Sequence, residues 1–223
     1  MLALDVDFAR ARRFMRDGQL TPNGVTDPLL LQAMDEIPRE NFVPEALRER
    51  AYADAPVPLG QGRAMLAPMV LARLLQMALP QPGERALVLA AGTGYGAAVL
   101  ARMGLQVTAI ESDPALATAA RHALDFSLTE NRPVVQQGDP RLGAPSGAPF
   151  RLILIEGMVE EVPGGLFSQL GEGGRLVTVR HEAGPVGRGI LLRRAGGAVS
   201  EIAGLDAAAP LLAEFAPAPG FVL

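Results

Sequence analysis

The chain passes from an apolar strand into a glycine-rich turn at Arg85-Ala86-Leu87-Val88-Leu89-Ala90-Ala91-Gly92-Thr93-Gly94-Tyr95-Gly96, and a second apolar stretch follows at Gln106-Val107-Thr108-Ala109-Ile110-Glu111. This order predicts a buried strand, a turn, a helix and a second strand that ends in a carboxylate. The glycines allow backbone N–H groups to approach a ligand, and Glu111, 19 residues after Gly92, is placed to bind two ribose hydroxyls. The turn therefore predicts an adenosine-type ligand, although such turns also occur for packing alone.

The composition is typical of a soluble α/β protein. The 223 residues are 49% hydrophobic and carry a net charge of −4, and such a chain can bury about 70% of its unfolded surface. A pI near 5.3 gives no dominant basic field, so nucleic acid is not an expected partner. No apolar run approaches the roughly 18 residues of a membrane span, and Asp5 and Asp7 interrupt the N-terminal arginines, unlike in a signal peptide. We expect a cytoplasmic protein that binds no membrane; its oligomeric state is left open.

Two absent residue types narrow the chemistry. The chain has no Cys, and its 20 Lys-or-Arg positions are all Arg. Thiolate catalysis, disulfides, Cys-ligated metals, Schiff bases and the lysine of a P-loop are therefore excluded, and we expect no metal. His122 lies in a helical pattern typical of a helix surface, whereas His181 follows a predicted strand and could line a cleft. This inventory favours positioning a ligand over proton shuttling.

Alternation of strands and helices predicts the fold class. Strands are predicted at 86–90, 106–110, 133–137, 151–156 and 175–180, with helices at 95–103, 114–125 and 163–170. This pattern indicates a Rossmann-like, doubly wound and mostly parallel sheet that binds ligands at the carboxyl ends of its strands. We expect one domain over 1–223, with a helical segment and substrate loop at 1–80, a ligand-binding core at 84–180 and antiparallel strands at 181–223.

The segments that flank this core have their own signals. Thr26-Asp27-Pro28 predicts a helix cap before Leu29 to Ile37, and further helices are predicted from Asp5 to Arg16, Pro44 to Arg50 and Pro68 to Leu79. Residues 53 to 63 are rich in Pro and Gly and are predicted to form an extended, irregular loop. In the tail, short antiparallel strands are predicted at Gly189 to Arg194, Val199 to Ile202 and Leu211 to Phe215, with a turn at Gly196-Gly197.

Several stretches resemble a known family. They are Ile37-Pro38-Arg39-Glu40-Asn41-Phe42-Val43-Pro44, Tyr52-Ala53-Asp54-Ala55-Pro56-Val57-Pro58-Leu59-Gly60-Gln61-Gly62, Pro68, the Gly92/Gly94 turn, Gly138-Asp139, Pro163 and Gly173-Gly174-Arg175-Leu176-Val177. In order and spacing they resemble the protein-L-isoaspartate O-methyltransferase family over roughly residues 34 to 180. The resemblance implies a class I methyltransferase fold. It also implies methyl transfer from S-adenosylmethionine, leaving S-adenosylhomocysteine, to isoaspartyl carboxylates of damaged proteins or peptides.

The resemblance also assigns site residues. It places the substrate at Pro58, Gly60, Gly62, Arg63 and Leu66, and the cofactor at Ala90, Gly92, Gly94, Glu111, Gly138 and Asp139. Glu111 would contact the ribose and Asp139 the adenine.

The chain departs from the family pattern at several of these positions. The family loop Gly-x-Gly-Gln-Thr-x-Ser-x-Pro is here Gly60-Gln61-Gly62-Arg63-Ala64-Met65-Leu66-Ala67-Pro68, so Ala64 replaces Thr and Leu66 replaces Ser. No catalytic residue of the family pattern is therefore intact. Val88 replaces an acidic residue, Ala90 replaces a glycine, and Gly-Asp-Gly has become Gly138-Asp139-Pro140.

Physical chemistry indicates what these changes do. An aspartyl-type carboxylate with a pKa of about 4 is ionised at neutral pH, so methyl transfer to it needs orientation and exclusion of water rather than a base. Leu66 removes a hydrogen bond to a charged oxygen that is worth about 1.5–3 kcal/mol, which predicts weak or absent methylation of isoaspartyl peptides. Arg63 could replace that bond, but a loop arginine is more often solvated. Ala90 can replace glycine only at a negative φ. Glu156 ends the fourth strand, either at the ligand or in solvent.

Three functions remain open. The first is a methyltransferase of the isoaspartyl type, and the second is a catalytically silent homologue that binds S-adenosylmethionine or a protein partner. The third, a nicotinamide oxidoreductase, is suggested because Gly92 to Ala97 fits the G-x-G-x-x-G/A fingerprint. It is the weakest, because roughly 80 residues precede the fingerprint and no hydride-transfer site is visible.

Overall fold

The computed structural model describes residues 7–184 and 186–216. The strands in these ranges are β1 (Val57–Gly60), β2 (Arg63–Met65), β3 (Arg85–Leu89), β4 (Gln106–Glu111), β5 (Val134–Gln137), β6 (Phe150–Val159), β7 (Leu170–Arg180), β8 (Gly187–Ala195) and β9 (Ala198–Ala207). The α-helices are α1 (Phe8–Phe14), α2 (Pro28–Glu36), α3 (Pro68–Ala78), α4 (Tyr95–Arg102), α5 (Pro114–Ser127) and α6 (Gly164–Ser168). The strands and helices predicted for the core are confirmed within a few residues at each end.

Seven strands form one sheet in the order β5-β4-β3-β6-β7-β8-β9. The five strands from β5 to β7 run parallel, and β8 and β9 are added antiparallel. The predicted Rossmann-like, mostly parallel sheet is therefore confirmed. From β3 the chain winds outward through β4 to β5 and then returns to add β6 on the other side. Ligands bind at the carboxyl ends of the strands beside such a reversal.

The central strands are buried on both faces. In β3, Ala86 and Val88 pack into one core, and Leu87 and Leu89 pack into the other. This division follows from the two-residue period of a strand, which sends successive side chains to opposite faces. The continuous apolar run of β3 is thus explained by helices and loops that cover both sides of the sheet.

The N-terminal segment is helical, as predicted. α2 begins after Asp27, whose Oδ1 accepts hydrogen bonds from the backbone N–H groups of Leu29 (2.9 Å) and Leu30 (3.1 Å). Such a cap satisfies N–H groups that have no partner within the helix. α1 continues into a π-helical segment at Met15–Leu20 and a 3₁₀ turn at Thr21–Asn23. Residues 5 and 6 of the predicted first helix lie outside the described residues.

The other predicted helices of this segment are also present. The short helix predicted from Pro44 is a 3₁₀ helix at Glu45–Arg50, and α3 matches the helix predicted from Pro68. None of the helices in the described ranges is long and apolar enough to cross a membrane.

The prediction of an irregular loop at 53–63 was wrong in part. β1 and β2 form an antiparallel hairpin in which Val57 pairs with Met65 and Pro58 with Ala64. Pro58 is accommodated because this two-stranded ribbon leaves an edge where no N–H is needed. We call residues 57–65 the hairpin below.

The tail is partly as predicted. β8 and β9 form a hairpin whose turn residues, Gly196 and Gly197, both have positive φ (58° and 80°), as tight hairpin turns require. The strand predicted at Leu211 to Phe215 was wrong. Only Leu211 forms a bridge, to Met158, and Ala213–Phe215 is a 3₁₀ turn. Burial overrides strand propensity here, because the side chains of Leu212 and Phe215 pack into the core.

Candidate functional site

The turn after β3 holds three residues in the left-handed region. They are Ala90 (φ 53°), Gly92 (φ 54°) and Gly94 (φ 89°). Glycine adopts this region freely, whereas a residue with a Cβ pays about 1–2 kcal/mol. The condition that Ala90 could replace glycine only at negative φ is therefore not met, and the turn retains its glycine-type conformation at a cost in stability.

Glu111 ends β4 beside this turn and is fully buried. Its Oε2 accepts a hydrogen bond from the Gly92 N–H (2.8 Å), and its Oε1 accepts one from the Asp113 N–H (3.0 Å). The spacing of 19 residues between Gly92 and Glu111 thus places the carboxylate directly against the turn. The structure brings together the two features from which the sequence predicted an adenosine-type site.

Arg63 also contacts Glu111, which corrects the expectation that this loop arginine is solvated. Its side chain is 6% exposed, and its Nε and Nη2 each lie 3.3 Å from an oxygen of Glu111. The same guanidinium donates to Ser112 Oγ (3.0 Å) and to both carboxylate oxygens of Glu214. Arg63 therefore bridges two acidic side chains and covers the carboxylate expected to bind a ribose.

Arg63, Glu111 and Glu214 form an ion triad in which the arginine pairs with both carboxylates. Burial lowers the pKa of Arg63, but its hydrogen bond to Glu214 and the charges of Glu111 and Glu214 outweigh burial and raise that pKa. Burial likewise raises the pKa of Glu214, but Arg63 lowers it further than burial raises it. Because one cation faces two anions, the triad keeps a net negative charge beside the glycine turn.

A cavity of about 420 Å³ opens next to the triad, at the carboxyl ends of β4 and β5. It is lined by Ser112, Gln137, Gly138, Asp139, Pro140 and Glu214. Asp139 Oδ1 accepts a hydrogen bond from the Arg141 N–H (2.9 Å), and its Oδ2 pairs with the Arg141 guanidinium (2.8 Å). A hydrogen bond from Arg141 lowers the pKa of Asp139. The predicted adenine contact thus lies on the cavity wall and also caps its own loop.

The other side of the turn is closed. A gap lined by Leu59, Ala64, Met65, Ala90, Ala91, Gly92, Thr93, Tyr95 and Glu156 has no room for a water molecule. The hairpin causes this closure, because Leu59 Cδ1 lies 2.8 Å from the point that a Cβ on Gly92 would occupy. Entry of any ligand here requires the hairpin to move away from the turn.

Glu156 lies at the bottom of this gap, on β6. It is 4% exposed, which corrects the alternative of a solvated strand end. Within the described ranges no group donates a hydrogen bond to its Oε1. Burial raises its pKa to about 8, and the negative charge of Glu111 adds to this, while Arg39 and the Gly96 backbone oppose it.

Arg39 is a buried residue of this region that sequence reasoning missed. Its Nε donates to the Ala51 carbonyl (2.7 Å) and its Nη2 to the Leu66 carbonyl (2.9 Å). Its guanidinium lies 4.4 Å from the centre of the Tyr95 ring, a cation–π contact. The only signal available was its place in the Ile37 to Pro44 stretch that resembles the family.

The substituted loop positions are divided between core and cleft. Leu66 is fully buried in the main hydrophobic core, whereas Ala64 and Met65 line the closed gap. Pro58, Gly60 and Gly62 belong to the hairpin or its turn. Their predicted role in substrate binding stays a prediction.

The histidines lie apart from this cleft. His122 is exposed on α5, as predicted, and His181 is exposed after β7 and does not line the cleft. In the described part of the chain, no cluster of three His, Asp or Glu side chains is arranged to hold a metal ion.

The sequence of the chain is similar to those of a known protein family. The chain matches the model of protein-L-isoaspartate(D-aspartate) O-methyltransferase over residues 15–187. A protein-L-isoaspartate O-methyltransferase of Methylorubrum extorquens (strain PA1) is 43% identical over 188 residues, which are 84% of this chain and 80% of that protein.

Two solved structures share the fold. One is a protein-L-isoaspartate O-methyltransferase with a TM-score of 0.78 and 24% identity, matched over 90% of this chain and 65% of the other. The second is a Plasmodium falciparum protein described as such an enzyme and solved with S-adenosyl-L-homocysteine. It has a TM-score of 0.78 and 18% identity, matched over 91% of this chain and 98% of the other. These structures confirm the class I methyltransferase fold, and the sequence matches confirm that the chain belongs to the protein-L-isoaspartate(D-aspartate) O-methyltransferase family.

Proposed function

We propose that the protein is an S-adenosylmethionine-dependent carboxyl O-methyltransferase that acts on isoaspartyl residues of proteins or peptides. Family membership supports the reaction class. The observation that carries the proposal is the contact between the Gly92 N–H and the Glu111 carboxylate at the edge of an open cavity. It supports the proposal because backbone N–H groups, a carboxylate suited to ribose hydroxyls and space for a base lie side by side there, as an adenosine site requires.

The residues present fit this cofactor in their chemistry. Glu111 and the cavity beside Asp139 suit the ribose and the adenine. Glu156 Oε1, which has no hydrogen-bond partner among residues 7–184 and 186–216, offers a buried acceptor on the opposite side of the turn. When bound, S-adenosylmethionine supplies an activated methyl group on a sulfonium. Because Arg63 and Leu59 cover the turn, the hairpin must open to admit it.

Arg63 has a second role in this proposal. Ribose hydroxyls that bind Glu111 take over the acceptors that Arg63 now uses. A guanidinium released in this way is suited to hold the carboxylate of a substrate with two parallel hydrogen bonds. The hairpin that carries it then excludes water from the reacting groups. Arg63 thereby replaces the hydroxyl that the family pattern places at position 66.

We test the proposal by transfer of labelled methyl from S-adenosylmethionine to an isoaspartyl peptide, with the matching aspartyl peptide as control. Label on the isoaspartyl peptide alone, released again by mild base as expected for a methyl ester, supports the proposal. We expect slow turnover, because Leu66 and Ala64 provide no hydroxyl to the substrate. No label on either peptide at any enzyme concentration, with cofactor bound, contradicts it.

The closed gap favours a second candidate, a silent homologue that binds the cofactor or a partner without turnover. Leu59 fills the space over Gly92, and Leu66 belongs to the core. Binding of S-adenosylhomocysteine without methyl transfer to any peptide is the expected result for this candidate. The nicotinamide oxidoreductase considered from the fingerprint has no support in the family match.

A further inference from the structure

Glu156 is a buried titratable group whose carboxyl oxygens are not all hydrogen-bonded within the described residues. Its carboxylate lies against the start of α4, where a Cβ on Gly96 would stand 2.8 Å from the Glu156 Cδ. The Gly96 backbone and the charge of Arg39 both lower the pKa of this carboxyl, although burial outweighs them. Yet no group of the described residues donates to its buried Oε1, and the Glu156 side chain lines the closed gap together with Ala90 and Ala91.

A buried acceptor without a donor is costly, so its presence needs an explanation. The group that completes it must be a hydrogen-bond donor and should carry positive charge, because the carboxylate and the neighbouring Glu111 are acidic. Both requirements point to a cationic N–H donor that enters the gap when the hairpin opens.

We propose that Glu156 binds the α-ammonium group of the cofactor's methionyl end. This inference rests on the proposed function. S-adenosylmethionine carries two cations, an ammonium and a sulfonium, but only the ammonium has N–H groups to donate to the free oxygen. Glu156 is thus assigned to a hydrogen bond with the ammonium, which the cofactor and its product S-adenosylhomocysteine share.

The sheet explains why the acid stands on β6. Val88 occupies the position of the lost acidic residue on β3, and it pairs with Leu154 on β6. Glu156 lies two residues farther along β6, just past Ile155, the last β6 residue that pairs with β3, and next to the turn at Ala90. An acidic side chain missing from one strand is therefore present on its neighbour, next to the same turn.

A purely structural role for Glu156 makes a different prediction. Arg39 and Tyr95 each keep a buried polar atom without a partner in the described residues, and both lie close to Glu156. If Glu156 serves only to balance Arg39, its replacement changes stability but does not change which adenosyl ligand the protein prefers.

The experiment is a cycle of two proteins and two ligands, measured by calorimetric titration. The ligands are S-adenosylhomocysteine and its analogue that lacks the α-amino group. The proteins are the native chain and Glu156→Gln, with Glu160→Gln as a matched control because Glu160 is exposed four residues farther on. We expect Glu156→Gln to weaken S-adenosylhomocysteine binding about 10-fold or more and to leave binding of the desamino analogue within about 2-fold. Glu160→Gln should bind both ligands as the native protein does.

The outcomes distinguish a ligand-binding role of Glu156 from a purely structural one. An equal loss for both ligands, or no loss for either, overturns the assignment of Glu156 while leaving the proposed function in place. Failure of the native protein to bind S-adenosylmethionine and S-adenosylhomocysteine overturns the proposed function and the inference together. If Glu156→Gln does not fold, the native protein alone still decides: preference for S-adenosylhomocysteine over the desamino analogue by about 10-fold supports the ammonium contact, and equal affinity overturns it.

Discussion

The two sides of the glycine turn differ in how far they keep the family pattern. On the ribose and adenine side, Glu111 and Asp139 are retained and a cavity of about 420 Å³ stands open. On the opposite side, Ala64 and Val88 replace polar residues, and the gap admits no water. In the proposed function, the half of the site that would recognise the adenosine is thus open, whereas the half that would hold the reacting groups opens only if the hairpin moves.

The largest expected effect concerns Leu66, which is buried in the hydrophobic core. Replacing it with Ser removes buried apolar volume and adds a hydroxyl to the core, so Leu66→Ser should lower the free energy of unfolding by about 3–5 kcal/mol. Urea unfolding measures this change. Ala64→Thr, at a half-buried position, serves as the control and should change stability by less than about 1 kcal/mol. Equal stability of Leu66→Ser and the native protein would place residue 66 in the cleft.

The next effect concerns Glu156, which lines the closed gap. In the unfolded chain Glu156 ionises near its ordinary pKa of 4.5, but burial raises its pKa in the folded protein to about 8. The folded state therefore binds more protons between these values, and stability falls as pH rises from about 5 to 8. Glu156→Gln lacks this slope and should exceed the native protein in stability at pH 8 by an amount on the order of 4 kcal/mol.

Thermal unfolding at pH 5 and pH 8 measures the difference, with Glu160→Gln as the exposed control. A stability gain that is the same at both pH values would contradict the raised pKa of Glu156.

A smaller effect concerns Arg63, which joins the two sides. Arg63→Gln should lower stability by about 1–2 kcal/mol and tighten S-adenosylhomocysteine binding about 3-fold to 10-fold, because it frees Glu111 for the ribose. It should also raise the KM for an isoaspartyl peptide, since the guanidinium that would hold the substrate carboxylate is lost. Calorimetry and steady-state kinetics separate these effects, and Arg48→Gln, at an exposed arginine, is the control. Weaker cofactor binding in Arg63→Gln would show that Arg63 supports the site rather than covers it.

The smallest effect concerns Ala90. Glycine adopts a φ of 53° without strain, so Ala90→Gly should stabilise the protein by up to about 1 kcal/mol. Denaturant titration can resolve this gain. Ala91→Gly, at a position without positive φ, is the control and should not stabilise. A loss of stability in Ala90→Gly equal to that in the control would mean that strain at Ala90 is negligible.

Local patterns were sufficient to predict most of the fold. The apolar runs of β3 and β4, the Asp27 cap and the Gly196-Gly197 turn each act within a few residues, and each is present as predicted. The same holds for the contact of Glu111 with the glycine turn, because the strand–turn–helix unit that sets it spans about 20 residues.

The remainder depends on parts of the chain that are far apart in sequence. Arg63 looked like a solvated loop residue because its partner Glu214 is 151 residues away. Glu156 looked like a strand end, but the hairpin from an earlier part of the chain covers it. The hairpin was predicted as an irregular loop because prolines are rare in strands. In place of the strand predicted at Leu211 to Phe215, the chain forms a turn that buries two apolar side chains. Such contacts are set by tertiary packing, which a local pattern does not contain.

The contact between Arg63 and Glu214 has a consequence for the order of assembly during synthesis. Chains emerge from the ribosome N-terminus first, at about 5–20 residues per second, so Arg63, which lies 151 residues before Glu214, is made roughly 8–30 seconds earlier than that partner. During those seconds Glu111 and Ser112, which also pair with the guanidinium, can already hold the hairpin to the turn, together with the packing of Leu59 on Gly92. Arg63 therefore has fewer carboxylate partners before the turn at Ala213–Phe215 is made, and Glu214 in that turn then adds the second one.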